Sequence, residues 1–172
     1  PVKINEAGCY VKYIDITKEQ LNKKVLINFQ GVESCFYLYV NGEIVGFSKD
    51  SFSPSEFDIT DYLVEGKNKI GVKVYRWCDA SWLEDQDFWR FSGIFRDVEL
   101  QMVPHVHLKD IKILTHLNEN YDHATVEVTP MIVKKEAKFK AVYTLKYKDE
   151  IIGQKESKDC CSPINFEFDD PH

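Results

Sequence analysis

The stretch Cys35–Ser48, "CFYLYVNGEIVGFS", decides the fold class. Two apolar-rich runs flank Asn41-Gly42. Asn-Gly tolerates positive φ at both central positions of a tight turn, so the stretch reads as a β-hairpin. The same grammar extends outward. "GCYVKYIDI" (8–16) alternates with period two, "KKVLINFQG" (23–31) follows, and "KIGVKVYRW" (69–77) and "IFRDVELQMV" (94–103) complete a first set of strands. Helical periodicity is nearly absent. "TKEQLN" (17–22) has the capping-box pair Thr17 and Gln20, which predicts one short turn. "TDYLVEG" (60–66) predicts another, with Gly66 as its stop.

Pro104 marks a change of texture. After it come "HLKDIKILTHL" (107–117), "HATVEVTPMIV" (123–133), "FKAVYTLKYK" (139–148) and "EIIGQKES" (150–157). These longer alternating strands carry outward lysines and are spaced like an immunoglobulin-type sandwich, without its Cys…Trp…Cys pattern. The predicted class is all-β, with a boundary near 102–105 that separates domains at 1–103 and 104–172.

Bulk properties narrow the function. The 172 residues suffice for one large or two small domains, and 44% apolar content supports a core. A mixed charge with a net of −6 argues against nucleic acid, which selects a basic patch or stripe. No apolar run approaches the roughly 18 residues of a membrane helix. No charged segment followed by an apolar one opens the chain as a signal peptide does. Pro1 and the closing "DDPH" look cut, as in a piece of a longer protein. The cysteines are 5 in number: Cys9, Cys35, Cys78, Cys160 and Cys161. An odd count, an adjacent pair and no CxxC predict free thiols, which suits a reducing compartment, cytoplasmic rather than periplasmic.

Most catalytic constellations are missing. The histidines, His105, His107, His116, His123 and His172, all lie in the second half, away from any activated nucleophile. His105 and His107 alternate on one strand, where two imidazoles on one face could bind a metal, and a polar strand edge is the favoured reading. There is no G-x-S-x-G, G-x-G-x-x-G or P-loop. What remains is "LEDQDFWRFSG" (83–93), where Glu84, Asp85 and Asp87 sit between Trp82 and Trp89, with Asp79 and Trp77 upstream. If the segment is extended, Asp85 and Asp87 share a face. Neighbouring carboxylates repel one another and are not placed across a glycosidic bond, so an acid/base pair is disfavoured. Carboxylates also ligate hard cations and accept hydrogen bonds from sugar hydroxyls, while a tryptophan face suits sugar C–H groups. The plainer alternative is an ion-pair cluster neutralised by Arg76, Arg90 and Arg96.

Four segments together carry a family resemblance: "GCY" (8–10), "VNGEIVGFSKDSFSPSEFDIT" (40–60), "RWCDASWLEDQDFWRFSGIFRDVEL" (76–100) and "VHLKDIKI" (106–113). Their order resembles large bacterial β-galactosidases of glycoside hydrolase family 2, most like the lactose-cleaving type. The resemblance spans essentially the whole chain and weakens after about residue 125. It implies a galactose-binding-like jelly-roll sandwich, its opening strands lying before Pro1, followed by an immunoglobulin-like sandwich clipped near His172. It further implies that the TIM barrel with the catalytic glutamates lies outside this chain, so no catalytic residue is expected here. By the same resemblance Asp87 reaches into the barrel's site, holds a sodium ion and contacts galactose hydroxyls, and Asp79 helps bind magnesium. Lys49 stands where those members carry an amide, a departure from the magnesium pattern. Glu84, Asp85, Trp89, Arg90 and Arg96 are expected to fix the loop. Sodium and magnesium belong to the full-length enzyme, with none tightly bound by this chain. A β-galactoside substrate and a homo-oligomeric parent are also implied, with no nucleic acid and no membrane. A stand-alone carbohydrate-binding module, and a β-glucuronidase or β-mannosidase on the same modular plan, remain alternatives.

Overall fold

The computed structural model describes residues 4–87, 89–133, 138–159, 161–169 and 171. The readings made for Cys160 and His172 fall outside the described residues. The chain divides into two compact units, Pro1–Pro104 and His105–His172. Both are all-β, as expected, and among the described residues no helix is long and apolar enough to cross a membrane.

In the first unit one antiparallel sheet has the order β1 (Ala7–Ile16), β7 (Gly66–Tyr75), β4 (Cys35–Val40), β5 (Glu43–Ser48). A second has the order β6 (Ser55–Asp58), β2 (Lys24–Phe29), β9 (Val98–Val103). A short ladder joins β3 (Val32–Glu33) to β8 (Gly93–Ile94). The alternation of apolar residues turns one face of each sheet inward. Val25, Ile27 and Phe29 from β2 meet Phe36, Leu38 and Val40 from β4, and Ile70, Val72 and Val74 from β7, in one buried cluster. The rings of Phe29 and Phe36 lie 4.7 Å apart between centroids, and Phe57 packs edge-on against both. The unit is therefore a sandwich held by apolar burial between its sheets.

The predicted hairpin forms as β4 and β5. Asn41 has φ 53° and Gly42 φ 93°, as a primed turn requires. The ladder carries a bulge between Leu38 and Tyr39, and Gly46 on β5 lies against the Phe57 ring. The turn is then tied to β7. Asn68, fully buried, accepts from Asn41 Nδ2 at 2.8 Å and from Val64 N at 2.8 Å. It donates to the carbonyls of Val64 and Gly66 at 2.7 and 2.9 Å. The Thr17–Gln20 box is present in both directions, at 2.8 and 3.3 Å, and heads the 3-10 turn Gln20–Asn22. The second predicted turn is shorter than expected. It covers Thr60–Tyr62, and Gly66, with φ 86°, opens β7 instead of ending a helix.

The second unit holds a three-stranded sheet of β10 (His107–Leu117), β11 (His123–Val133) and β14 (Ile164–Asp169). It also holds the hairpin of β12 (Ala141–Tyr147) and β13 (Glu150–Ser157). Phe166 and Gly153 bring the two sheets together: a Cβ on Gly153 would lie 2.7 Å from the Phe166 ring. Pro130 lies within the central strand β11. Pairing with β14 stops at Val128, so no ladder bond to β14 is lost to its missing N–H.

Candidate functional site: the acidic segment after β7

The acidic segment leaves β7 at Tyr75 and returns to the sheets at β8. The Asn5 side-chain amide fixes its start: Trp77 N donates to Asn5 Oδ1 at 3.0 Å and Asn5 Nδ2 donates to the Trp77 carbonyl at 2.8 Å. A 3-10 turn follows at Asp79–Trp82. Within it the buried Ser81 Oγ accepts from Cys78 N at 3.0 Å and donates to Ser34 Oγ, also at 3.0 Å. The remainder is turn and irregular chain, so Asp85 and Asp87 do not lie on a strand as an extended segment would place them.

Three of the four carboxylates are engaged by the protein. Glu84, half-buried, accepts from Ser51 N at 2.8 Å and from Ser51 Oγ at 2.7 Å, which binds the segment to the loop after β5. Asp85 accepts from Arg90 Nη2 at 2.8 Å. Asp79 Oδ2 lies 2.7 Å from Lys49 Nζ. The Lys49 hydrogen bond, aided by the Ala80 N–H, lowers the Asp79 carboxyl below its ordinary range, and Asp79 in turn raises the Lys49 ammonium. Asp87 is exposed, and among the described residues no side chain or backbone group pairs with it.

Arg90 is the organising cation. Besides Asp85 it reaches the Ser81 carbonyl at 3.2 Å and Glu33 Oε1 at 3.7 Å, and it lies 5.1 Å from the Trp77 ring centroid. The other two arginines do not do what the sequence suggested. Arg76 pairs with Glu6 at 3.2 Å, and Arg96 donates to the carbonyls of Gln30 and Phe52 at 3.2 and 2.8 Å. Both are drawn to the strand framework because β7 and the 94–97 return run beside those partners. Trp89 is also not a strut. It is 80% exposed and stacks on Phe91, with 28° between the rings. Trp82 is 81% exposed.

Glu33 was not anticipated. It is 4% exposed, accepts from Ser92 N at 2.9 Å and faces Arg90. Nothing local in "GVESC" announces it, because its burial comes from the β3–β8 pairing with residues about sixty positions away. The strand expected to carry both His105 and His107 begins at His107, so His105 lies before it, and among the described residues no three His, Cys, Asp or Glu side chains converge as a metal site would need.

The magnesium expectation for Asp79 does not fit this geometry. The Lys49 ammonium takes the carboxylate a divalent cation would use. Asp87 presents one hard oxygen donor set to solvent, which suits a ligand of a sodium ion whose other ligands come from elsewhere.

A family model described as "Glycosyl hydrolases family 2, sugar binding domain" matches residues 1–104. Among curated proteins, the β-galactosidase of Priestia megaterium is 54% identical over 133 residues, covering 77% of this chain and 13% of that protein. The β-galactosidase of Clostridium acetobutylicum is 58% identical over 120 residues, covering 70% and 13%. The chain thus spans roughly an eighth of the length of these relatives. Among solved structures, an FMN-binding β-glucuronidase from Facaelibacterium prausnitzii superposes with a TM-score of 0.80 at 18% identity, over 98% of this chain and 28% of that one. Bacteroides uniformis β-glucuronidase 2 gives 0.75 at 21%, over 96% and 21%. At these identities the structural likeness speaks to the fold, whereas the family match and the sequence relatives agree with each other over the acidic segment's own unit: the chain belongs to glycosyl hydrolase family 2, through that family's sugar binding domain.

Proposed function

We propose that this chain is the non-catalytic N-terminal region of a retaining β-galactosidase that hydrolyses terminal β-D-galactosides. In this reading residues 1–103 are the jelly-roll sugar-binding domain and 104–172 the immunoglobulin-like domain. The two glutamates that attack the anomeric carbon and protonate the leaving oxygen lie in a barrel outside this chain. The chain alone is inactive, and its contribution is one wall of the active site.

One observation carries the reading. Of the four carboxylates between Asp79 and Asp87, Asp87 is the one with no protein partner among the described residues, and like Trp89 it is exposed. The other three are held by Lys49, Ser51 and Arg90. A loop stiffened at every acid but one is built to present that one. Asp87 would accept hydrogen bonds from galactose hydroxyls and share a sodium ion, a positioning role that leaves the bond-breaking chemistry to the barrel. The sodium ion, when bound, supplies a fixed positive charge for sugar oxygens. Magnesium at Asp79 is not part of the proposal. The full-length enzyme is expected to assemble as a homo-oligomer, which light scattering measures.

The test is Asp87→Ala and Asp87→Asn in the full-length enzyme, with kinetics at several sodium concentrations. The expected result is a fall of about a hundredfold or more in kcat/KM and loss of the sodium response. Near-normal kinetics would overturn it. Calorimetric titration of the isolated chain with lactose separates this from a stand-alone binding module. The wall reading expects no saturation.

A further inference from the structure

The sheet β1–β7–β4–β5 has two faces, and one of them takes no part in the core. Alternation sends Asn68, Ile70, Val72 and Val74 of β7 inward, which leaves Lys67, Lys69, Gly71, Lys73 and Tyr75 on the opposite face. Strand register places neighbours beside them. Val11 and Tyr39 flank Gly71, and Tyr13 lies opposite Lys69. Tyr37 lies opposite Lys73, and Asp15 lies opposite Lys67. Phe47 and Ile44 of β5 extend the face beyond Tyr37 and Tyr39.

This face is apolar and basic at once. Val11, Tyr13, Ile44 and Phe47 are all exposed. The rings of Tyr75, Tyr37 and Phe47 form a chain across three strands, with successive centroids 6.2 and 4.8 Å apart. Two ammonium groups stand on aromatic faces, Lys67 Nζ at 4.4 Å from the Tyr13 centroid and Lys73 Nζ at 5.1 Å from that of Tyr75. Gly71 has no side chain, so the space between Val11 and Tyr39 is a trough of about 290 Å³, with Lys69 and Lys73 on either side of the glycine. Among the described outward positions of these four strands, Asp15 is the one acid. A chain with a net charge of −6 thus collects three lysines against one carboxylate on a single sheet face.

The chemistry of the face selects its occupant. Local positive charge calls for an anion. Exposed ring faces suit the C–H groups of a sugar. A sheet face offers no unpaired backbone groups, so an extended peptide gains no ladder here as it does at a sheet edge. Nucleic acid carries a charge about every 3.4 Å along a strand. Lys67, Lys69 and Lys73, by contrast, are spaced by about 7 and 13 Å along β7. Charges that sparse match a polymer whose acids are separated by sugar rings.

We propose that the outward face of the β1–β7–β4–β5 sheet binds an acidic polysaccharide, with carboxylates at Lys69 and Lys73 and a sugar ring in the trough between Val11 and Tyr39. An ammonium is a point charge on a flexible stem, so it accepts a carboxylate from many directions and tolerates an irregular polymer. The attraction acts between exposed charges and is screened by salt.

The test is affinity electrophoresis of the whole chain in native gels cast with polygalacturonate, neutral galactan or polyglutamate, each read against a polymer-free gel. A chain of net charge −6 has no bulk attraction for a polyanion, so retardation reports a local site. Polygalacturonate is expected to retard the chain at low ionic strength, and about 0.5 M salt to abolish the effect. Lys69→Gln with Lys73→Gln is expected to weaken binding about tenfold. Lys69→Arg with Lys73→Arg keeps both charges and is expected to bind normally, as is Lys112→Gln with Lys158→Gln on the other unit. Gly71→Val fills the trough at unchanged charge and is expected to weaken binding about tenfold. Its Cβ would lie 3.6 Å from Tyr39 Cβ, an ordinary contact, so the strand accommodates it. The proposal is overturned if polygalacturonate does not retard the unaltered chain, or if polyglutamate or galactan retards it as strongly. It is also overturned if the two lysine-to-glutamine pairs are equivalent, or if Gly71→Val binds normally. The three polymers alone decide the matter without any variant having to fold. Lactose carries no carboxylate and Asp87 lies outside these strands, so none of these outcomes bears on the role of Asp87.

Discussion

Lys49 Nζ lies 2.7 Å from Asp79 Oδ2, and this pair sits where the family resemblance implied a magnesium ligand. The ammonium is an internal substitute for a divalent charge. The thermal midpoint of this chain is expected not to move on adding magnesium, because binding would first have to displace Lys49. Lys49→Gln frees the carboxylate, and a magnesium-dependent rise in the midpoint is expected only in that variant. A magnesium response in the unaltered chain of equal size would contradict the substitution.

The same pair has a pH signature. The Asp79 pKa is lowered from the ordinary 3.8, so its stabilisation is present above that value and lost as pH falls through the folded pKa. The Lys49 pKa is raised from 10.5, so its share is present below that value and lost as pH rises through the folded pKa. Both side chains are exposed, so the effect is small and salt-screened. Urea midpoints at pH 3 and pH 6 measure the acid limb. Asp79→Asn is expected to reduce the difference between them.

Glu84 is the segment's anchor to the opposite loop. Ser51 is fully buried, and both its N–H and its Oγ–H end on the Glu84 carboxylate. Glu84→Ala leaves two buried donors without an acceptor and is expected to cost about 1–3 kcal/mol, whereas Glu84→Gln keeps one acceptor oxygen and costs less. Urea denaturation measures both.

Asn68 and Gly46 test the hairpin. Asn68→Ala removes an amide that serves Asn41, Val64 and Gly66, with an expected loss of about 1–3 kcal/mol. Gly46→Ala places a Cβ 2.6 Å from Phe57 Cε1, so that ring must shift and an expected cost of about 1–3 kcal/mol follows from overpacking. Hydrogen exchange of the β4–β5 amides is the more direct measurement, because both changes act on that ladder.

These residues also show what a sequence can display. Asn41-Gly42 and the Thr17–Gln20 box act within a few positions, so they were legible. Gly66 was misread because positive φ serves a strand entry as well as a helix exit, and only β7 distinguishes them. The acidic segment was recognisable as a candidate site, but its wiring was not. Arg76 and Arg96 turned to Glu6, Gln30 and Phe52, partners set by strand register across the sheets. Glu33 is long-range in the same way: it is unremarkable alone, and only the β3–β8 pairing brings it to Ser92 and Arg90.

Arg90 offers the sharpest test of the segment's construction. Its guanidinium joins Asp85, the Ser81 carbonyl, the Trp77 face and the buried Glu33, which no point charge on a flexible stem can do at once. Arg90→Gln leaves the Glu33 carboxylate buried with the Ser92 N–H and no cation. Breaking a buried pair in this way costs about 3–5 kcal/mol when both partners are fully enclosed. Arg90 is partly open, with 28% of its side chain exposed, so about half that cost is expected. Arg90→Lys restores charge but neither the fork nor the stacking, and is expected to fall between. The double change Glu33→Gln with Arg90→Gln removes the stranded charge and should recover part of the loss. If the single and double variants have equal urea midpoints, Glu33 is not what Arg90 compensates, and the segment's order rests on Asp85 and Ser81 instead.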